Sequence, residues 1–106
     1  MSFDLGISNR VAIVTGGSVG IGKETARKLA RAGVRVTIAA RTQSALDAAA
    51  EEIRSETGGE IAAIAVDTTS MASVQACVDE TVRRFGGLHI LINCAAAPGG
   101  LVRNAI

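Results

Sequence analysis

Four short apolar runs alternate with three segments of helical periodicity, and only a few residues join each to the next. That alternation constrains the fold more than any other feature, because consecutive strands joined through a helix run parallel in one sheet. The runs fall at residues 10–15, 35–40, 61–66 and 89–93. They are apolar throughout rather than alternating, the pattern of strands covered on both faces. Between them, residues 20–32 carry Ile21, Thr25, Lys28 and Leu29 at helical spacing, and residues 44–57 carry Leu46, Ala49, Ala50 and Ile53. The third helix, 71–85, places Met71, Val74, Cys77, Val78, Val82 and Phe85 on one stripe. Glycines follow each helix, at Gly33, Gly58 and Gly86, where a left-handed residue ends a helix without strain. The expected class is α/β, a doubly wound parallel sheet with helices on both faces. A chain of 106 residues, 48% of them apolar, suffices for one such domain.

The first strand runs straight into a glycine-rich turn, Thr15-Gly16-Gly17-Ser18-Val19-Gly20-Ile21-Gly22. Glycine at such a junction lets a phosphate approach backbone amides, and the helix start adds unpaired N–H groups and the positive end of a dipole. Three readings compete. The turn is a turn and nothing more; or it is the phosphate loop of a nucleotide triphosphatase; or it holds a dinucleotide. The second gains from Gly17, Gly22 and Lys23 at the required spacing, and from Asp67 after an apolar strand. It loses at the next position, where Glu24 stands in place of the hydroxyl that ligates magnesium and Thr25 comes one residue late. The third lacks the generic G-x-G-x-x-G spacing, since Thr25 lies three past Gly22.

The spacing actually present, T-G-x-x-x-G-I-G after the first strand, resembles that of the short-chain dehydrogenase/reductase family. Further matches are Asp67 after the third strand and Asn93 and Ala95 after the fourth, where the family usually shows Asn-Asn-Ala-Gly; Cys94 and Ala96 depart from it. The resemblance covers residues 10–106 and implies a Rossmann-type sheet of order 3-2-1-4. It also implies that Gly16, Ser18, Gly20, Ile21 and Gly22 bind the cofactor pyrophosphate, that Asp67 meets the adenine amino group, that Asn93 ties strands together, and that Ala95 offers backbone to the ribose. An acid at the end of the second strand would bind a ribose 2′-hydroxyl and repel a 2′-phosphate. Here that position is Ala40, followed by Arg41, whose guanidinium suits a phosphate. NADP(H) is therefore expected over NAD(H).

The chemistry implied by the resemblance is hydride transfer between a nicotinamide and a small carbonyl or alcohol, carried by a Ser and a Tyr-x-x-x-Lys pair. This chain contains no Tyr, so no catalytic residue is assigned. Residues 1–106 are read as the dinucleotide-binding portion of a longer single-domain enzyme, inactive as they stand. The other class left open is a non-catalytic nucleotide-binding or interaction module. His89 reads as a strand-entry residue and Cys77 as core. Eleven basic against ten acidic residues give a net charge of +1 and no field for nucleic acid or an anionic membrane. No segment reads as a signal peptide or a membrane span, and two widely spaced cysteines suit a reducing compartment, so a cytoplasmic protein is expected. The fourth strand would form an apolar edge, from which self-association into a homo-oligomer is expected.

Overall fold

The computed structural model describes residues 8–94. The elements follow the order β1 (Val11–Thr15), α1 (Gly20–Arg31), β2 (Arg35–Ala40), α2 (Gln43–Thr57), β3 (Ile61–Ala65), α3 (Met71–Phe85) and β4 (Ile90–Asn93). The strands form one parallel sheet in the order β3-β2-β1-β4. Thr15 at the end of β1 lies between Ala39 of β2 and Asn93 of β4, and Ala40 lies beside Ala65 of β3. The carboxyl ends of all four strands thus share one rim, and the turns that follow β1, β2 and β3 converge there.

Helices cover both faces, as the alternation requires. On one face α1 and α2 bury Ala26, Ala30, Leu46, Ala49, Ala50 and Ile53 against Ala12, Val14, Val36 and Ile38. On the other, α3 lays Cys77 against Ile13, Ala39 and Val66. The buried Thr81 hydroxyl donates to the Thr37 hydroxyl at 2.9 Å, so each of these core polar groups has a partner. The thiol of Cys77 is buried, which pushes its pKa up and keeps it protonated. Ser70 caps α3 by accepting from the Ser73 amide at 3.2 Å. No helix among the described residues is long and apolar enough to cross a membrane.

Three expectations from the pattern need correction. The buried stripe of α1 is Gly22, Ala26 and Ala30, not Ile21, Thr25 and Lys28; Ile21 is 77% exposed. Small residues bring this helix close to the sheet, and the large apolar one is left facing outward. On α3, Met71 and Val82 are exposed, and Thr81 takes the inward position beside Val82. Among the described residues the fourth strand is covered on one face: Ile90 and Ile92 pack toward α1 and α2, whereas Leu91, on the α3 side, is 51% exposed.

Candidate functional site

At the rim, the chain leaves β1 through Gly16, whose backbone is left-handed (φ 71°) and whose amide donates to the Ala39 carbonyl at 2.7 Å. A residue with a side chain is strained in that conformation. Gly17 is buried directly over Ile38: a Cβ built there would lie 2.8 Å from the Ile38 side chain. Gly22 is more tightly confined, because a Cβ there would fall 2.0 Å from the carbonyl oxygen of Gly16. The turn therefore rests on the first turn of α1, and no larger residue permits that approach.

Val19, the N-cap of α1, makes no side-chain capping bond, and the first turn of the helix carries no acidic residue. The amides at this helix start thus have no side-chain acceptor in their own turn, and they meet the positive end of the dipole. Val19 and Ile21 flank the opening, 70% and 77% exposed. Ser18 and Gly20 lie in the same loop, Gly20 with φ 58°. Lys23 is turned away from it and pairs with Glu52 of α2 at 2.8 Å, while Glu24 pairs with Arg27 of its own helix. The lysine that a triphosphatase loop needs on its phosphates is committed to holding two helices together.

The second part of the rim lies at the ends of β2 and β3, where Arg41, Ala65, Val66 and Asp67 line an open cleft. The Val66 amide donates to the Ala40 carbonyl at 2.7 Å, which fixes the two strand ends side by side. Asp67 turns its carboxylate back on the chain: Oδ1 accepts from the Thr69 amide at 2.9 Å and the Thr69 hydroxyl at 2.6 Å. The hydroxyl bond first, then the amide bond, and then Arg41 at 3.7 Å hold its pKa below the ordinary carboxylate value. Neither Thr69 nor its lock on Asp67 was assigned a role from sequence, although Asp-Thr-Thr is the composition of such a side-chain turn. Gln43, at the start of α2, stitches the helix to β3 by donating to the Ala63 carbonyl at 3.2 Å and accepting from the Ala65 amide at 3.3 Å.

The third part joins β1 to β4. The Thr15 hydroxyl donates to Asn93 Oδ1 at 2.8 Å, and the Cys94 amide donates to the Thr15 carbonyl at 3.1 Å. Gly16 and Ser18 in the turn after β1, Gly20, Ile21 and Gly22 in the first turn of α1, and Arg41, Asp67 and Asn93 at or just past the ends of β2, β3 and β4 all lie along this one rim. Ala95 lies outside the described residues. His89 sits at the opposite end of β4, where its Nδ1 accepts from the Val11 amide at 3.0 Å and its own amide donates to the Val11 carbonyl at 2.9 Å. Among the described residues no three His, Cys, Asp or Glu side chains form a group able to hold a metal ion.

The short chain dehydrogenase family model matches residues 10–105. The chain belongs to that family. Among curated members it is 39% identical over 92 residues to a putative ketoacyl reductase of Streptomyces coelicolor, covering 87% of this chain and 35% of that protein. It is 41% identical over 90 residues to the zebrafish (Danio rerio) peroxisomal 2,4-dienoyl-CoA reductase, covering 85% of this chain and 30% of that protein. Among solved structures, the L-sorbose reductase of Gluconobacter frateurii complexed with NADPH and L-sorbose superposes with a TM-score of 0.84 at 36% identity, over 90% of this chain and 36% of that one. The F189W actinorhodin polyketide ketoreductase with NADPH gives a TM-score of 0.80 at 36% identity, over 91% and 36%. The chain spans about a third of the length of these family members.

The carboxylates of this fold give it a direction of pH dependence. Glu52 is held below the ordinary value first by its hydrogen bond to Lys23, Asp67 by Thr69, and Glu80 by Arg83 and Arg84. A carboxylate whose folded pKa lies below its unfolded one adds stability above the unfolded value and loses it as pH falls through the folded one. Melting temperature is therefore expected to hold between neutral pH and about pH 5 and to decline below about pH 4. Thermal melts across that range check it, and a melting temperature that rose on acidification would contradict the assignment.

Proposed function

We propose that this chain is the cofactor-binding part of an NADP(H)-dependent oxidoreductase, which in its whole form transfers hydride to or from a small carbonyl or alcohol. The observation that carries the reading is the cradle at Gly16, Gly17 and Gly22, where a Cβ at Gly22 would meet the Gly16 carbonyl at 2.0 Å beneath a helix start without a side-chain cap. That is the shape and polarity a pyrophosphate requires. When bound, the dinucleotide supplies the hydride chemistry through its nicotinamide. The residues of this chain bind and orient it: the turn amides receive the pyrophosphate, Asp67 accepts from the adenine amino group, and Asn93 with Thr15 holds β1 and β4 in register. Ala95 is assigned to the ribose. The absence of an acid at Ala40 and the presence of Arg41 favour a 2′-phosphate, and two of the solved relatives described above carry NADPH.

No residue of this chain is assigned to proton transfer in the reaction, and the chain as given is proposed to be catalytically silent. The protein is further proposed to be cytoplasmic and homo-oligomeric. Calorimetric titration with NADPH, NADH and magnesium ATP tests the reading. NADPH is expected to bind at least about tenfold more tightly than NADH, equivalent to about 1.4 kcal/mol. Preference for magnesium ATP would overturn it.

A further inference from the structure

Outside the pyrophosphate cradle, a charged pair stands at the ends of β2 and β3. Arg41 Nη2 lies 3.7 Å from Asp67 Oδ1 across the open cleft that both line. Asp67 is not free to swing away, because the same oxygen is held by the Thr69 amide and hydroxyl. Arg41 is 74% exposed, and it makes no other ion pair among the described residues. A fixed carboxylate thus faces an exposed cation.

We propose that Asp67 is a selectivity-setting residue: it competes with a 2′-phosphate for the Arg41 guanidinium and so moderates the preference that Arg41 creates. This rests on the reading of Arg41 as the 2′-phosphate ligand and extends it to a second residue. An exposed pair of this length gives Arg41 little preorganisation, because side-chain entropy and solvent screening offset its attraction. The carboxylate charge opposes a phosphate bound on the far side of the same guanidinium, and because a 2′-phosphate carries up to two charges that opposition exceeds the small preorganisation. Repulsion outweighs preorganisation. Removing the charge while keeping the shape therefore raises the affinity for a 2′-phosphate relative to a ligand lacking it.

The test compares 2′,5′-ADP with 5′-AMP, two probes that share the adenosine and its 5′-phosphate and differ only in the 2′-phosphate, using Asp67→Asn, Arg41→Ala and the double variant of the full chain. Asparagine retains an oxygen to accept from Thr69, so the turn is preserved, and circular dichroism checks that it is. The ratio of the 5′-AMP to the 2′,5′-ADP dissociation constant is expected to rise about threefold to tenfold in Asp67→Asn. In the Arg41→Ala background the same substitution should change it by no more than about twofold, because without the guanidinium nothing holds the 2′-phosphate near Asp67 and its charge relaxes outward into screening solvent. An unchanged or reduced ratio in Asp67→Asn, with the wild type still preferring 2′,5′-ADP, overturns this inference alone. A wild-type chain that binds both probes equally, or neither, overturns the assignment of Arg41 and this inference with it.

Discussion

Replacing Gly22 with alanine is expected to destabilise the fold and to abolish dinucleotide binding together. Alanine is the better helix former by about 0.5–1 kcal/mol, and Gly22 is the third residue of α1, so propensity alone would make the substitution stabilising. Packing decides the other way. The new methyl would lie 2.0 Å from the Gly16 carbonyl oxygen and 2.7 Å from its carbon, and both are backbone atoms that cannot rotate aside. The helix and the turn must separate, at a cost of about 1–3 kcal/mol for overpacking, occasionally more. That separation moves the amides that receive the pyrophosphate, so NADPH affinity should fall by at least about a hundredfold, or about 2.7 kcal/mol. Urea unfolding and NADPH titration of the same preparation measure both effects. Gly58→Ala provides the contrast: its backbone is left-handed (φ 69°) with no atom near the added methyl, so it should lose some stability and keep its binding.

The largest loss of stability is expected at Ile38. This residue is fully buried in the middle of β2 and lies directly under Gly17. Ile38→Ala removes three carbons from a site that the sheet and two helices cannot close, at a cost of about 2–5 kcal/mol. A domain of this size is stable by only about 5–15 kcal/mol, so the variant should unfold at a markedly lower urea concentration. Because Gly17 loses its floor, cofactor affinity should fall as well, but by less than in Gly22→Ala, since the turn and helix start remain in contact. A urea midpoint within error of the wild type would contradict the packing described here.

These two positions also show what was legible in the sequence. The alternation of apolar runs and helices specified the parallel sheet and its helical layers, because connection length and strand character leave few alternatives. The inward face of α2 was legible because leucine and isoleucine mark it at Leu46 and Ile53. That of α1 was not, because Gly22, Ala26 and Ala30 bury by closeness rather than bulk, and a reading weighted by side-chain hydrophobicity selects Ile21 instead. The spacing of small residues at 22, 26 and 30 was the available signal. Likewise, Lys23 has the spacing of a phosphate ligand, yet it pairs with Glu52, 29 residues on. Pairings over that range depend on how α1 and α2 cross, which no local pattern encodes. Thr37 and Thr81, partners across 44 residues, were invisible for the same reason.

In the proposed function the glycine turn and the start of α1 receive the pyrophosphate of NADP(H). Amide nitrogen–proton NMR of the full chain during titration with NADPH reads those amides one by one. The largest shifts are expected on the amides from Gly16 to Gly22, with a second group at Arg41 and Asp67. NADPH that left those amides unmoved, or moved a set of residues elsewhere on the sheet, would contradict it.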